Sequence, residues 1–221
     1  MRGIFVTGTD TGVGKSVLAA AICAALARRG ERVAAFKPVV TGTDDPPGEW
    51  PRDHELLAAQ TGQQAGEVTP RTFGPAVSPH LAAEMAGERV DPGGFAAAAR
   101  RAAEGADILV CEGVGGLMVP LTSSHLVRDL AVELGLPLVV AARPGLGTIN
   151  HTLLTVSAAR SAGLPVAGVV ITPWPVEPDP LCASNRETIE RLSGVTVSGL
   201  PPTEPDTLAE AGAGLPLDDW I

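Results

Sequence analysis

The sequence predicts an α/β fold: a doubly wound, mostly parallel sheet with helices on both faces, in one domain covering residues 1–221. Three observations predict it. Short apolar runs of strand length recur along the chain, helical patterns separate them, and no linker or internal repeat divides them. A chain of 221 residues can also bury roughly 70% of its unfolded surface in a single core.

The candidate strands, in order, are Ile4-Phe5-Val6, Val33 to Phe36, Ile108-Leu109-Val110, Leu138-Val139-Val140, Val166 to Ile171, and Val195-Thr196-Val197. Each is continuous in apolar residues, as a strand buried on both faces requires. A helix is predicted from Lys15 to Arg29, with Leu18, Ile22, Ala25 and Leu26 on one buried face and Gly30 as its stop. Another runs from Asp53 to about Gln60. The segments Thr41 to Arg52 and Gly66 to Pro79 are rich in proline and glycine and read as long loops beyond strand ends, where ligands gather in open α/β sheets.

Composition narrows the function classes. A net charge of −9, with no run of basic residues, opposes nucleic-acid binding, which needs a basic face to neutralise phosphates. Tyrosine is absent and aromatics are few, so stacking on bases is disfavoured as well. Cys23, Cys111 and Cys182 are scattered without metal-ligand spacing, and no apolar stretch is long enough to span a bilayer. A reduced, cytoplasmic protein without membrane attachment, acting on small molecules, is expected.

The strongest local signal is Gly8-Thr9-Asp10-Thr11-Gly12-Val13-Gly14-Lys15-Ser16, set between a buried strand and a helix. This is the context of a P-loop, so the fold is expected to be P-loop NTPase-like. Backbone amides from Thr11, Gly12, Val13 and Gly14 through Lys15, Ser16 and Val17 are the candidate phosphate cradle. Glycines permit the tight turn, and the helix N-terminus adds positive dipole. Lys15 would reach the β- and γ-phosphates of ATP, and Ser16 would hold Mg²⁺ through its hydroxyl. Five residues rather than four separate Gly8 from Gly14, so the loop is a variant. The variant loops of partitioning and septum-site ATPases carry a signature lysine near the position occupied here by Asp10, and this chain lacks it. Mg²⁺ bridging phosphates takes one or two carboxylates, for which Glu112, at the end of an apolar strand, and Asp53 are the candidates, with Glu55 as the fallback.

Four further segments follow in order: Lys37-Pro38-Val39-Val40-Thr41-Gly42, Ser78-Pro79-His80, Glu112-Gly113-Val114-Gly115-Gly116-Leu117, and Leu146-Gly147-Thr148-Ile149-Asn150-His151. With the P-loop they resemble the dethiobiotin synthetases, from Gly3 to about Gly199. The resemblance implies an ATP- and Mg²⁺-dependent cyclo-ligase that joins CO₂ to the diamine 7,8-diaminopelargonate through a carbamate and a carbamic-phosphoric anhydride. It further implies that Lys15 binds phosphates, that Lys37 faces carbamate and γ-phosphate, and that Thr41 holds the carbamate or diamine end. Gly113, Val114, Gly115 and Gly116 would offer backbone amides to the carbamate. Thr148 and Asn150, opening a helix, would take the distant carboxylate across the interface of a homodimer. Ser78-Pro79-His80 reads equally as a helix start, and His80 is given no proton transfer.

Two other readings stay open on sequence: a cobyrinate diamide synthase-like ligase, and a nucleotide-switched partitioning ATPase. The apolar run Val166 to Ile171 leads into Thr172-Pro173-Trp174, where an asparagine amide would be suited to read adenine. Two prolines nearby, Pro173 and Pro175, supply no N–H, so base readout is expected to be loose, with ring contact from Trp174.

Overall fold

The computed structural model describes all residues from Met1 to Ile221. Its strands are β1 (Gly3–Gly8), β2 (Val33–Phe36), β3 (Val40–Thr41), β4 (Thr72–Phe73), β5 (Ile108–Glu112), β6 (Pro120–Thr122), β7 (His125–Leu126), β8 (Leu138–Ala142), β9 (Val166–Ile171) and β10 (Val197–Gly199). The helices are α1 (Lys15–Arg28), α2 (Asp53–Thr61), α3 (Ala65–Val68), α4 (Pro79–Met85), α5 (Gly93–Ala102), α6 (Val127–Leu134), α7 (Thr148–Ser161), α8 (Pro180–Ser193), α9 (Leu208–Ala213) and α10 (Leu217–Trp220). No helix is long and apolar enough to cross a membrane.

Six strands form the main sheet in the order β10-β9-β8-β1-β5-β2, every neighbouring pair parallel. The carboxyl ends therefore open on one edge, with β1 central and its loop between those of β5 and β8. Alternation along β1 divides the core: Ile4 and Val6 pack with Leu18 and Ile22 of α1, whereas Phe5 faces Leu130 of α6 on the other side. A third cluster, including Val140, Val156, Val169 and Ile189, seats α7 and α8 over the far strands. At the opposite edge, the Gln63 side chain bonds both the N–H and the C=O of Ala35 at 2.7 and 3.3 Å, covering the free side of β2.

All six predicted strands are present, with differences at the margins. The last begins at Val197 rather than Val195, because the Val195 N–H is bonded to the Ser193 hydroxyl at 3.1 Å. The stretch Gly66 to Pro79 is not wholly loop, since Thr72–Phe73 pairs with Val40–Thr41. More consequential is α1, predicted to bury one face but buried almost all round from Leu18 to Leu26. Its alanines let the chain close over the outer side, where α2 and α9 pack.

The approach of α9 is close enough that a Cβ on Gly212 would stand 2.0 Å from the Ala21 carbonyl oxygen. Backbone must then move, so Gly212→Ala should lower unfolding free energy by about 1–3 kcal/mol in urea titration. Gly66→Ala, where a Cβ meets open space, should leave the midpoint unchanged or slightly raised. Equal effects from the two substitutions would contradict the tight α1–α9 contact.

Candidate active site

The P-loop is built as its sequence requires. Thr9 N–H bonds the Ala141 carbonyl at 3.0 Å, fixing the loop where β1 meets β8. Gly12 and Gly14 have φ of 70° and 85°, conformations L-residues rarely adopt, and a Cβ on Gly14 would meet Thr172 at 2.8 Å. No side chain caps α1, so its first amides face the cleft, as an anion site needs. Lys15 is buried and its Nζ donates to the Asp10 carbonyl at 2.8 Å. Burial first, then the neighbouring charge of Lys37, lowers the Lys15 ammonium to a pKa of about 8.

Beside the loop stands an ion cluster. Lys37 follows β2 and Glu112 ends β5; the register Phe36↔Cys111 sets these two residues side by side. Lys37 Nζ lies 2.5 Å from Glu112 Oε1 and 2.8 Å from Asp53 Oδ2, and also reaches the Gly113 carbonyl at 3.4 Å. Its backbone is pinned by the Val68 carbonyl and the Thr69 hydroxyl, at 2.9 and 3.0 Å. Burial would lower the Lys37 pKa, but Asp53 and Glu112 outweigh it and hold it above the ordinary lysine value. Glu112 is fully buried, and this pushes its pKa up against the pull of Lys37. For Asp53 burial works in the same direction, but Lys37 overcomes it and holds the carboxyl at about 2.

Three oxygen donors meet here. Ser16 Oγ donates to Glu112 Oε1 at 2.8 Å, and its hydroxyl also contributes to holding Asp53 down. The second oxygen of Glu112 is buried without a partner. Two carboxylates and a hydroxyl suit Mg²⁺ completed by phosphates and water, whereas no group of three or more Asp, Glu, His or Cys forms an all-protein cage. Glu55 is exposed, and its carboxylate accepts the Arg52 N–H at 3.2 Å, securing the start of α2. Asp53, adjacent to Lys37 and Ser16, is the better placed of the two.

Lys15, Ser16, Lys37 and Asp53 line a cleft of about 1280 Å³, together with Thr11, Val17, Thr41, Val114, Gly115 and Thr148, while Glu112 lies buried behind them. Its size exceeds the roughly 300–1,000 Å³ of ordinary single-ligand pockets and suits two substrates. Several predicted residues lie elsewhere. Gly113 cannot offer its amide, because its N–H bonds the Val6 carbonyl at 2.9 Å in the sheet ladder. Gly116 packs near Gly8, where a Cβ would come 3.5 Å from the Gly8 carbonyl. Asn150 is exposed and outside the lining, while its neighbour His151 is inside it. Trp174 does not line the cleft either: its ring packs on Gly199 and carries the Arg186 guanidinium at 5.5 Å. Thr172, buried under Gly14, and Pro173 do line it. Ser78 precedes α4 as predicted, but its hydroxyl bonds His80 Nδ1 at 3.0 Å instead of a helix amide. Sequence reasoning missed Arg143, one residue past β8; its position at a carboxyl strand end was the available signal.

Comparison with known proteins shows the family and the fold. A family model described as AAA domain matches residues 2–211. The chain is 43% identical over 213 residues to the ATP-dependent dethiobiotin synthetase of Anaeromyxobacter dehalogenans strain 2CP-1, covering 96% of this chain and 94% of the relative. To the ATP-dependent dethiobiotin synthetase of Bacillus subtilis strain 168 it is 39% identical, covering 91% and 87%. A ParA family ATPase from Chlorobium tepidum TLS shares the fold, with a TM-score of 0.56 over 99% of this chain and 90% of its own, at 14% identity.

The ion cluster makes an acid-side prediction. Asp53 is held at about 2, below the unfolded value of roughly 3.9, so it stabilises the fold above pH ~4 and that contribution is lost as pH falls toward ~2. Thermal midpoints measured across this window should fall less steeply for Asp53→Asn than for the wild type. Parallel curves would show that the Lys37–Asp53 contact carries no pH-dependent stability.

Proposed function

This chain belongs to the ATP-dependent dethiobiotin synthetase family, and we propose that its cleft closes a ureido ring on 7,8-diaminopelargonate. The observation that carries the reading is the meeting of Lys15, Lys37, Ser16 and Asp53, with Glu112 buried behind them, in a cleft that Gly115 and Thr148 also line. One amine captures CO₂ as a carbamate and releases a proton. A carbamate oxygen attacks the γ-phosphorus of ATP, and ADP leaves. The second amine then attacks the carbamate carbon, displacing phosphate and closing the ring.

The chain's work in this sequence is placement of charge. Lys15 and the α1 amides hold the phosphates. Ser16, Asp53 and Glu112 would hold Mg²⁺, which when bound neutralises phosphate oxygens. Lys37, reached by both carboxylates, faces the space between phosphate and carbamate, where a cation opposes the charge gathering on the transferring group. Thr41 and the backbone at Val114 and Gly115 line the carbamate end.

At the far end, the Thr148 hydroxyl is buried without a partner at the N-terminus of α7, a fitting receptor for the substrate's carboxylate. Leu146 and Leu154 nearby are 91% and 60% exposed, an apolar surface suited to a second copy of the chain, so the working unit is a homodimer with Asn150 facing the partner's site. Free thiols at Cys23, Cys111 and Cys182 fit a cytosolic setting.

Phosphate release should require both diamine and CO₂, with one cyclic urea formed per phosphate. Lys37→Ala should lower kcat by ~100-fold or more with nucleotide affinity held within about threefold, the mark of an interaction made mostly in the transition state. Nucleotide hydrolysis independent of diamine as the main activity would favour a switch ATPase instead.

The base end carries its own expectation. Pro173, Pro201 and Pro202 line it, and none has a backbone N–H, so few donors are available to read a base edge. Competition among ATP, CTP, GTP and UTP should show preferences below ~100-fold, the scale that paired polar readout reaches. A larger preference for ATP would place an unidentified reading group in the site.

A further inference from the structure

Arg143 stands one residue past β8 and lines the cleft, yet nothing in the reaction described above uses it. Its Nη2 donates to the Thr11 carbonyl at 2.9 Å and lies 3.8 Å from an Asp10 carboxylate oxygen. The other Asp10 oxygen accepts the Thr11 N–H at 2.7 Å. The tip of the P-loop is thus held on both sides of one residue: Asp10 takes the amide of Thr11, and Arg143 takes its carbonyl. The arginine side chain is 58% exposed, so core packing does not impose this contact.

What the grip accomplishes follows from peptide geometry. The peptide joining Thr11 to Gly12 is trans, so its C=O and N–H point in opposite directions. Anchoring the Thr11 carbonyl on Arg143 turns the Gly12 N–H away from Arg143, and that N–H makes no backbone hydrogen bond. Gly12 has φ of 70° and open space where a side chain would be, so its own contacts do not hold this peptide in place. The start of α1 forms the inner end of the cradle, and the Lys15 side chain reaches from it back to the Asp10 carbonyl at 2.8 Å. The tip lies at the opposite end, where a Cβ on Gly115 would come 3.4 Å from the Thr11 hydroxyl. Gly115 lines the end read above as the carbamate end, so on that reading the phosphate at the tip is the terminal one.

We propose that Arg143 is a positioning residue for phosphoryl transfer, holding the Thr11 carbonyl so that the Gly12 amide is aimed at the terminal phosphate of ATP. The variant loops noted above carry a signature lysine near the position of Asp10, whereas here a cation reaches the loop tip from just past the neighbouring strand β8. The inference rests on the reading of the cleft as an ATP site. Its effect is specific to a nucleotide that has a third phosphate.

The test compares binding of ADP and of the non-hydrolysable imido analogue of ATP, with Mg²⁺, to wild type and to Arg143→Ala. Loss of one charge-assisted hydrogen bond should weaken the ATP analogue by about tenfold or more while ADP stays within about twofold. In turnover, kcat should fall while KM for the diamine is unchanged. The thermal midpoint should match the wild type, since the side chain is largely exposed. Equal weakening of both nucleotides would show a general charge effect and overturn the positioning role. Unchanged binding of both to Arg143→Ala would make Arg143 a surface residue. Wild type that binds neither nucleotide would overturn the ATP reading itself.

Discussion

The buried pairing of Lys37 with Glu112 is the constraint on which the site depends. A carboxylate with no exposure, at the end of a central strand, costs several kcal/mol in lost hydration unless a cation and hydrogen bonds answer it. Lys37 supplies that cation only because β2 and β5 are neighbours in register, and because Val68 and Thr69 fix the backbone from which it projects. Asp53 joins from the start of α2 and Ser16 from the start of α1. Four separate chain segments are thereby brought to one point, and the strand order β1-β5-β2 is what makes this possible.

The same cluster is poised rather than satisfied. One Glu112 oxygen has no partner, and Lys37 stands between two carboxylates that also suit a divalent cation. A core arranged for stability alone would favour apolar residues here, since a buried ion pair seldom exceeds a well-packed replacement. On the proposed reading the charge is retained where phosphate chemistry needs it, and the surrounding stability comes from α1. Its alanines allow α2 and α9 to close around it, with Gly212 against Ala21 as the tightest point.

Much of this was legible before any coordinates. Continuous apolar runs identified the six strands, because a parallel strand buried on both faces has no polar side to show. The P-loop was legible because its glycines and Lys15 are adjacent in sequence, and Lys37 and Glu112 because each follows such a run. What failed was of another kind. The buried outer side of α1 was invisible because alanine is compatible with either a covered or an exposed face. Trp174 was read as a contact for the base, but it is spent on Gly199 and Arg186. The Gly113 amide was counted as free when the sheet ladder had already taken it.

The sequence by itself determined the fold class, the family and the glycine-rich loop proposed as the phosphate cradle, since these depend on local periodicity and on motifs of contiguous residues. Only the tertiary structure decided which carboxylate stands beside Lys37, which amides remain free, and that Arg143 grips the loop tip. These depend on where segments separated by as many as 132 residues converge, as Thr11 and Arg143 do. A hydrogen bond formed across such a distance leaves no periodic trace in the chain. It exists because parallel strands deliver their carboxyl ends to one edge, and the register of the sheet decides which side chains meet there.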